Sequence, residues 1–102
     1  MITVTVTRNG RRICIAGVPG DGFLSANLFS NPKDQSGVPL SLVVGGLESK
    51  PGQPGTYSDW CRERLEVGDE ISIRIAESDE RDDPVEERMD PPKEIVLQEK
   101  KK

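Results

Sequence analysis

The alternation Ile2-Thr-Val-Thr-Val-Thr7, closed by Asn9-Gly10, constrains this chain more than any other feature. Apolar β-formers at every second position describe a strand with one buried face. Asn-Gly is the dipeptide that accepts positive φ at both central positions of a type I′ turn. With a two-residue loop, Val6 falls opposite Ile13, Val4 opposite Ile15 and Ile2 opposite Gly17 on one face. Thr7–Arg12, Thr5–Cys14 and Thr3–Ala16 fall on the other. The chain therefore opens with a β-hairpin.

The same period of two continues. Val18-Pro-Gly-Asp-Gly22 is punctuated as a loop. Residues 23–30 then alternate, with Leu24, Ala26 and Leu28 on one face and Phe23, Ser25, Asn27 and Phe29 on the other. Residues 31–37 are polar and turn-rich. Leu40, Leu42 and Val44 form a further strand that Gly45-Gly46 ends or kinks. Residues 50–56 hold two prolines and two glycines. Residues 58–63 are expected to form one helical turn with Ser58 as its N-cap and Asp59 in its first turn. Leu65-Glu-Val-Gly-Asp69 turns the chain into a strand carrying Ile71, Ile73 and Ile75. The fold class expected is all-β, a small antiparallel sandwich or partly open barrel of about five to six strands. Its core should draw on Ile13, Ile15, Phe23, Leu42, Trp60, Leu65 and Ile73.

Charge divides the chain. Residues 1–76 balance eight acids against eight bases, residues 77–92 carry a net charge of −6, and residues 93–102 carry +2. Periodicity stops at Ala76, and Pro84 and Pro91-Pro92 interrupt the stretch beyond it. Such a segment buries too little apolar surface to offset its ordering entropy. Residues 1–76 are expected to be the compact domain and 77–102 an acidic, flexible tail, with a short edge strand at 94–98.

Composition excludes several classes. A neutral body with two Phe, one Tyr and one Trp lacks the basic clusters and stacking aromatics of a nucleic-acid binder. No apolar run reaches the roughly 20 residues of a membrane-spanning helix. The N-terminus has neither the basic start nor the continuous apolar stretch of a signal peptide, so a cytoplasmic location is the default. There Cys14 and Cys61 are expected to be free thiols. With no His at all, the commonest general base and the usual partner of a nucleophilic Ser or Cys are missing. Two Cys without His leave no ordinary zinc set. No catalytic residues, metal ligands or cofactor are expected.

Some residues still invite a chemical role. Asp21 and Asp69 lie beside glycines, where the carboxylate satisfies turn donors. Cys61 adjoins Arg62 and precedes Arg64, and nearby guanidinium charge lowers a thiol pKa. Tyr57, Trp60, Cys61 and Arg62 together form the candidate ligand-binding group, with the aromatics lining a pocket at one end of the sheet. Asp79, Glu80, Asp82 and Asp83 are the candidate partner-binding acids. The acidic run lacks the ligand spacing and central glycine of a calcium loop. Neither Gly20-Asp-Gly22 nor Gly45-Gly46 has the spacing of a phosphate cradle.

Leu65-Glu-Val-Gly-Asp-Glu-Ile71 is similar to the Leu-x-x-Gly-Asp-x-Ile segment of PDZ domains, and Gly20-Asp-Gly-Phe23 resembles their carboxylate-binding loop. The resemblance covers eleven residues of 102. It implies a peptide-binding groove lined by a helix that comes after the Leu65–Ile71 match. The chain departs there, running from Ala76 into Glu77-Ser-Asp-Glu-Arg-Asp-Asp83, and is not assigned to that family.

The expected function is a non-catalytic protein–protein interaction or adapter module. It would pair through an exposed strand edge at residues 23–30 or 40–44, with a partner protein or a second copy of itself. The alternatives are a small-ligand binder using Tyr57 and Trp60, and a thiol-dependent enzyme or redox protein using Cys61.

Overall fold

A computed structural model describes residues 1–31 and 39–89. Seven strands run through them: β1 (Ile2–Arg8), β2 (Arg11–Gly17), β3 (Asp21–Ser30), β4 (Leu40–Ser49), β5 (Thr56–Arg64), β6 (Ile71–Glu77) and β7 (Glu86–Met89). They form two antiparallel sheets, one ordered β2-β1-β6 and the other β3-β4-β5-β7. The sheets pack as a sandwich, with β2 crossing over β4 and β5. Among the described residues there is no helix, and none therefore long and apolar enough to cross a membrane. The helix that would line a PDZ groove has no counterpart there.

The first hairpin turns through Asn9 (φ 54°) and Gly10 (φ 80°), as the type I′ signal requires. Its register differs from expectation beyond the turn. Arg8 faces Arg11 and Thr7 faces Arg12, but a β-bulge then leaves Ile13 over, so Val6 faces Cys14 and Val4 faces Ala16. One extra residue moves every later side chain of β2 to the other face. Cys14 and Ala16 are consequently buried in the core, while Ile13 and Ile15 are half-buried.

A second bulge, between Val44 and Gly45, leaves Trp60 over on β5. It gathers Trp60 and Cys61 into the cluster of Val6, Cys14, Ala16, Leu42, Val44 and Leu65. The helical turn expected at residues 58–63 is not formed, because this segment is strand, paired with β4 on one side and β7 on the other. Two ladders outweigh one capping hydroxyl, and Tyr57 and Trp60 suit a strand. Asp59 is thus no first-turn acid. It is buried over Gly45, where a Cβ would come within 2.8 Å of its Oδ1, and it accepts from Arg62 Nη2 at 3.0 Å.

Of the expected core, Leu42, Trp60 and Leu65 are buried, whereas Phe23 is 55% and Ile73 49% exposed. Ile73 shares its face with buried Val6, its partner across β1–β6. The second sheet therefore stops short of β6.

The acidic stretch up to residue 89, expected outside the compact domain, is bonded to it. Ser78 N donates to Met1 O, Arg81 Nη1 to Gly17 O and Val85 N to Asp59 O. Asp82 N donates to Ile15 O at 2.9 Å, and Ile15 N returns a bond to Asp82 Oδ2 at 2.8 Å. Residues 78–85 form a strap from the β2 edge across to β5, and β7 completes the second sheet. The edge strand expected at 94–98 lies outside the described residues.

Candidate functional site

The four residues of the candidate ligand group share β5 but do not line one cavity. Trp60 is buried, its Nε1 donates to Asp82 O at 2.8 Å, and the Arg81 guanidinium lies 5.7 Å from its ring centroid. Tyr57 stands on the outer face of the sheet under Arg88, 5.6 Å from the ring centroid. Arg62 pairs with Asp59. The indole thus anchors the strap, and the phenol and the guanidinium dress a surface. Two surface clefts, of about 410 and 360 Å3, are lined by other residues: Arg8, Asn9, Arg11, Arg12, Ile13 and Glu63 in one, and Met1, Ile2, Val18 and the start of β3 in the other.

Cys61 turns its thiol into the core cluster that also holds Cys14 of the opposite sheet, and both are buried free thiols. Burial, and then Glu63, push the Cys61 thiol above its ordinary range. Burial, followed by Cys61 and Asp82, pushes Cys14 up to about 12. Low dielectric disfavours a thiolate, the reactive form. The bulge explains why sequence spacing misjudged Cys14: it lies on the core face, not the opposite one.

The candidate partner-binding acids divide by strand-edge geometry. Asp82 is spent on Ile15, while Asp79, Glu80 and Asp83 are exposed. Asp69 accepts from Arg8 Nη2 at 2.8 Å, Asn9 Nδ2 at 2.9 Å and Glu66 N at 2.8 Å, tying the first hairpin turn to the loop before β6. Those bonds, Asn9 first, hold its carboxyl below the usual range. Asp21 begins β3. Among the described residues no group of three or more carboxylates and thiols is placed to hold a metal ion.

Among the described residues four strands lie at sheet edges: β2 and β6 in one sheet, β3 and β7 in the other. Residues 40–44, expected as a possible edge, belong to β4, which lies between β3 and β5. Sheet proteins blunt their edges with charge, proline, shortness or cover. The strap covers the end of β2, β7 has four residues including three charged ones, and β6 carries Arg74 and Glu77. The third strand has none of these devices among the described residues. It is ten residues long, holds no charge after Asp21 and no proline, and leaves Phe23 55%, Leu28 65% and Phe29 52% exposed. Gly22 fixes how that strand starts: its φ is 145°, and a Cβ there would run into the Leu47 carbonyl. Comparison with protein-family models, with curated proteins and with solved structures finds no match to this chain.

Proposed function

We propose that this protein is a non-catalytic interaction module that recruits a strand from another protein molecule to the open edge of β3. The observation that carries this reading is the unprotected edge itself: ten residues, uncharged after Asp21, with three large apolar side chains in solvent. Strand addition takes its affinity from main-chain hydrogen bonds and its specificity from alternate side chains on the receiving strand. Leu28 serves the inner face, Phe23 and Phe29 the outer. The buried cysteines and the absence of His favour this over thiol chemistry.

The test is affinity capture from the native cell with wild-type protein and with a Leu28→Lys/Phe29→Lys variant. Both positions are exposed, so folding stability should change by only about 0.5 kcal/mol each. Proteins captured by the wild type and lost by the variant support the reading. Identical captures would remove it.

A further inference from the structure

We propose that the strand recruited by β3 is the β3 of a second copy, paired antiparallel about a two-fold axis through Ala26. This rests on the strand-addition reading and names its partner. Residues 23–29 are Phe-Leu-Ser-Ala-Asn-Leu-Phe, which is nearly the same read in either direction. A two-fold interface sets a surface against itself, so residue i meets j and j meets i. Centred on Ala26, the register puts Phe23 against the other copy's Phe29, Leu24 against its Leu28, Ser25 against its Asn27, and Ala26 against its own copy.

Each pairing suits its face. The axis stands perpendicular to the sheet, so inner residues meet inner residues. Leu24 and Leu28 join on the core side, where Leu28 is 65% exposed in the single chain. Phe23 and Phe29 join on the outer side as two aromatic cross-strand pairs, a favoured combination. Ser25 and Asn27 supply a donor and an acceptor between them. Within one strand they are already bonded, Asn27 Nδ2 donating to Ser25 Oγ at 3.2 Å. No like charges meet, because Asp21 falls opposite Asn31. Moving the axis by one residue, to Ser25, would set Phe23 against Asn27 and Leu24 against Ala26. The symmetric order of side chains is lost in that register. The outcome is one continuous eight-stranded sheet, β7-β5-β4-β3 followed by its mirror order, with the unprotected edge removed.

The register is tested by disulfide trapping in full-length protein. Directly opposed residues reach the Cβ separation a disulfide needs, whereas diagonal neighbours do not. Ala26→Cys alone is expected to give a covalent dimer under mild oxidation. Ser25→Cys mixed with Asn27→Cys should give the cross-linked heterodimer much faster than either variant alone. Ser72→Cys, on β6, is the control and should stay uncrosslinked, as should the wild type with its buried thiols. The mixed pair uses the outer face, so it holds even where Ala26→Cys perturbs packing. A monomeric wild-type mass in sedimentation equilibrium at every concentration would overturn self-pairing. A dimer that crosslinks through Ser72→Cys, or through neither β3 set, would overturn this edge and register. If the protein is monomeric yet loses captured partners in the Leu28→Lys/Phe29→Lys variant, self-pairing falls and the strand-addition reading survives.

Discussion

Ile15 and Asp82 exchange two hydrogen bonds, one from the Asp82 amide and one to its carboxylate, and so close the edge of β2 from within the chain. The contrast with β3 organises the molecule. On one side of the sandwich, residues 78–85 occupy the Ile15 amide and carbonyl and the Gly17 carbonyl, groups at the end of β2 that a neighbouring molecule would otherwise use. At β3 no described residue does this, and the exposed side chains there are apolar. The proposed strand recruitment uses this contrast, placing contact with another molecule at the edge that the described residues leave bare.

Asp82→Ala removes the acceptor for Ile15 N and loosens the strap under which Trp60 is bonded. The expected loss is about 1.5–3 kcal/mol, the range for a hydrogen bond to a charged group. It should appear as a lower urea midpoint. Asp82→Asn keeps a side-chain oxygen and should recover part of it. Trp60 fluorescence should shift to longer wavelength in the Ala variant as its buried end opens.

The fold class was legible because alternation in residues 2–7, 23–30 and 71–75 has a single physical meaning. Two single-residue bulges were not, since nothing in the local pattern at Ile13 or Trp60 announces an unpaired residue. The first exchanged the faces of β2 and brought Cys14 to Cys61. The second hid a strand behind what looks like an N-capped turn at Ser58. The bonds made by residues 78–89 were not legible for another reason: hydropathy registers neither backbone pairing nor a single side-chain bond such as Asp82 to Ile15 N. The order Phe-Leu-Ser-Ala-Asn-Leu-Phe is plain in the sequence, yet it carries weight only once β3 is known to be an edge.

The two thiols set an alkaline limit. Cys14 is held at about 12 when folded against an ordinary 9.0, and Cys61 is also raised. The unfolded chain therefore loses these protons first. Stability should be fully present below pH 9 and fall as pH rises from there toward 12. Thermal midpoints across that range check the slope, and Cys14→Ala should flatten it. A midpoint that rises with pH would contradict it.

Asp69 sets an acid limit of opposite sign. Its carboxyl is lowered from 3.8 by Asn9, Glu66 and Arg8, so its contribution is present above that value and is lost as pH falls through the depressed one. Asp69→Ala should lower the melting temperature at pH 7, with the difference from wild type shrinking at low pH. Equal differences at pH 7 and pH 2 would show that the carboxylate's charge is irrelevant there.

Gly22→Ala should be among the most damaging single-methyl changes in the chain. The added Cβ meets the Leu47 carbonyl and demands a φ that L residues avoid. Gly10→Ala also meets a positive φ but has open space around it, so its cost should be the smaller of the two. Paired urea titrations rank them.

Amide hydrogen exchange, measured residue by residue in dilute and in concentrated protein, tests the role of β3 most directly. Slowed exchange at the outward-pointing amides of residues 22–30 on concentration, with β6 amides unchanged, is the predicted result. Exchange in β3 that stays the same while another edge becomes protected would contradict the account.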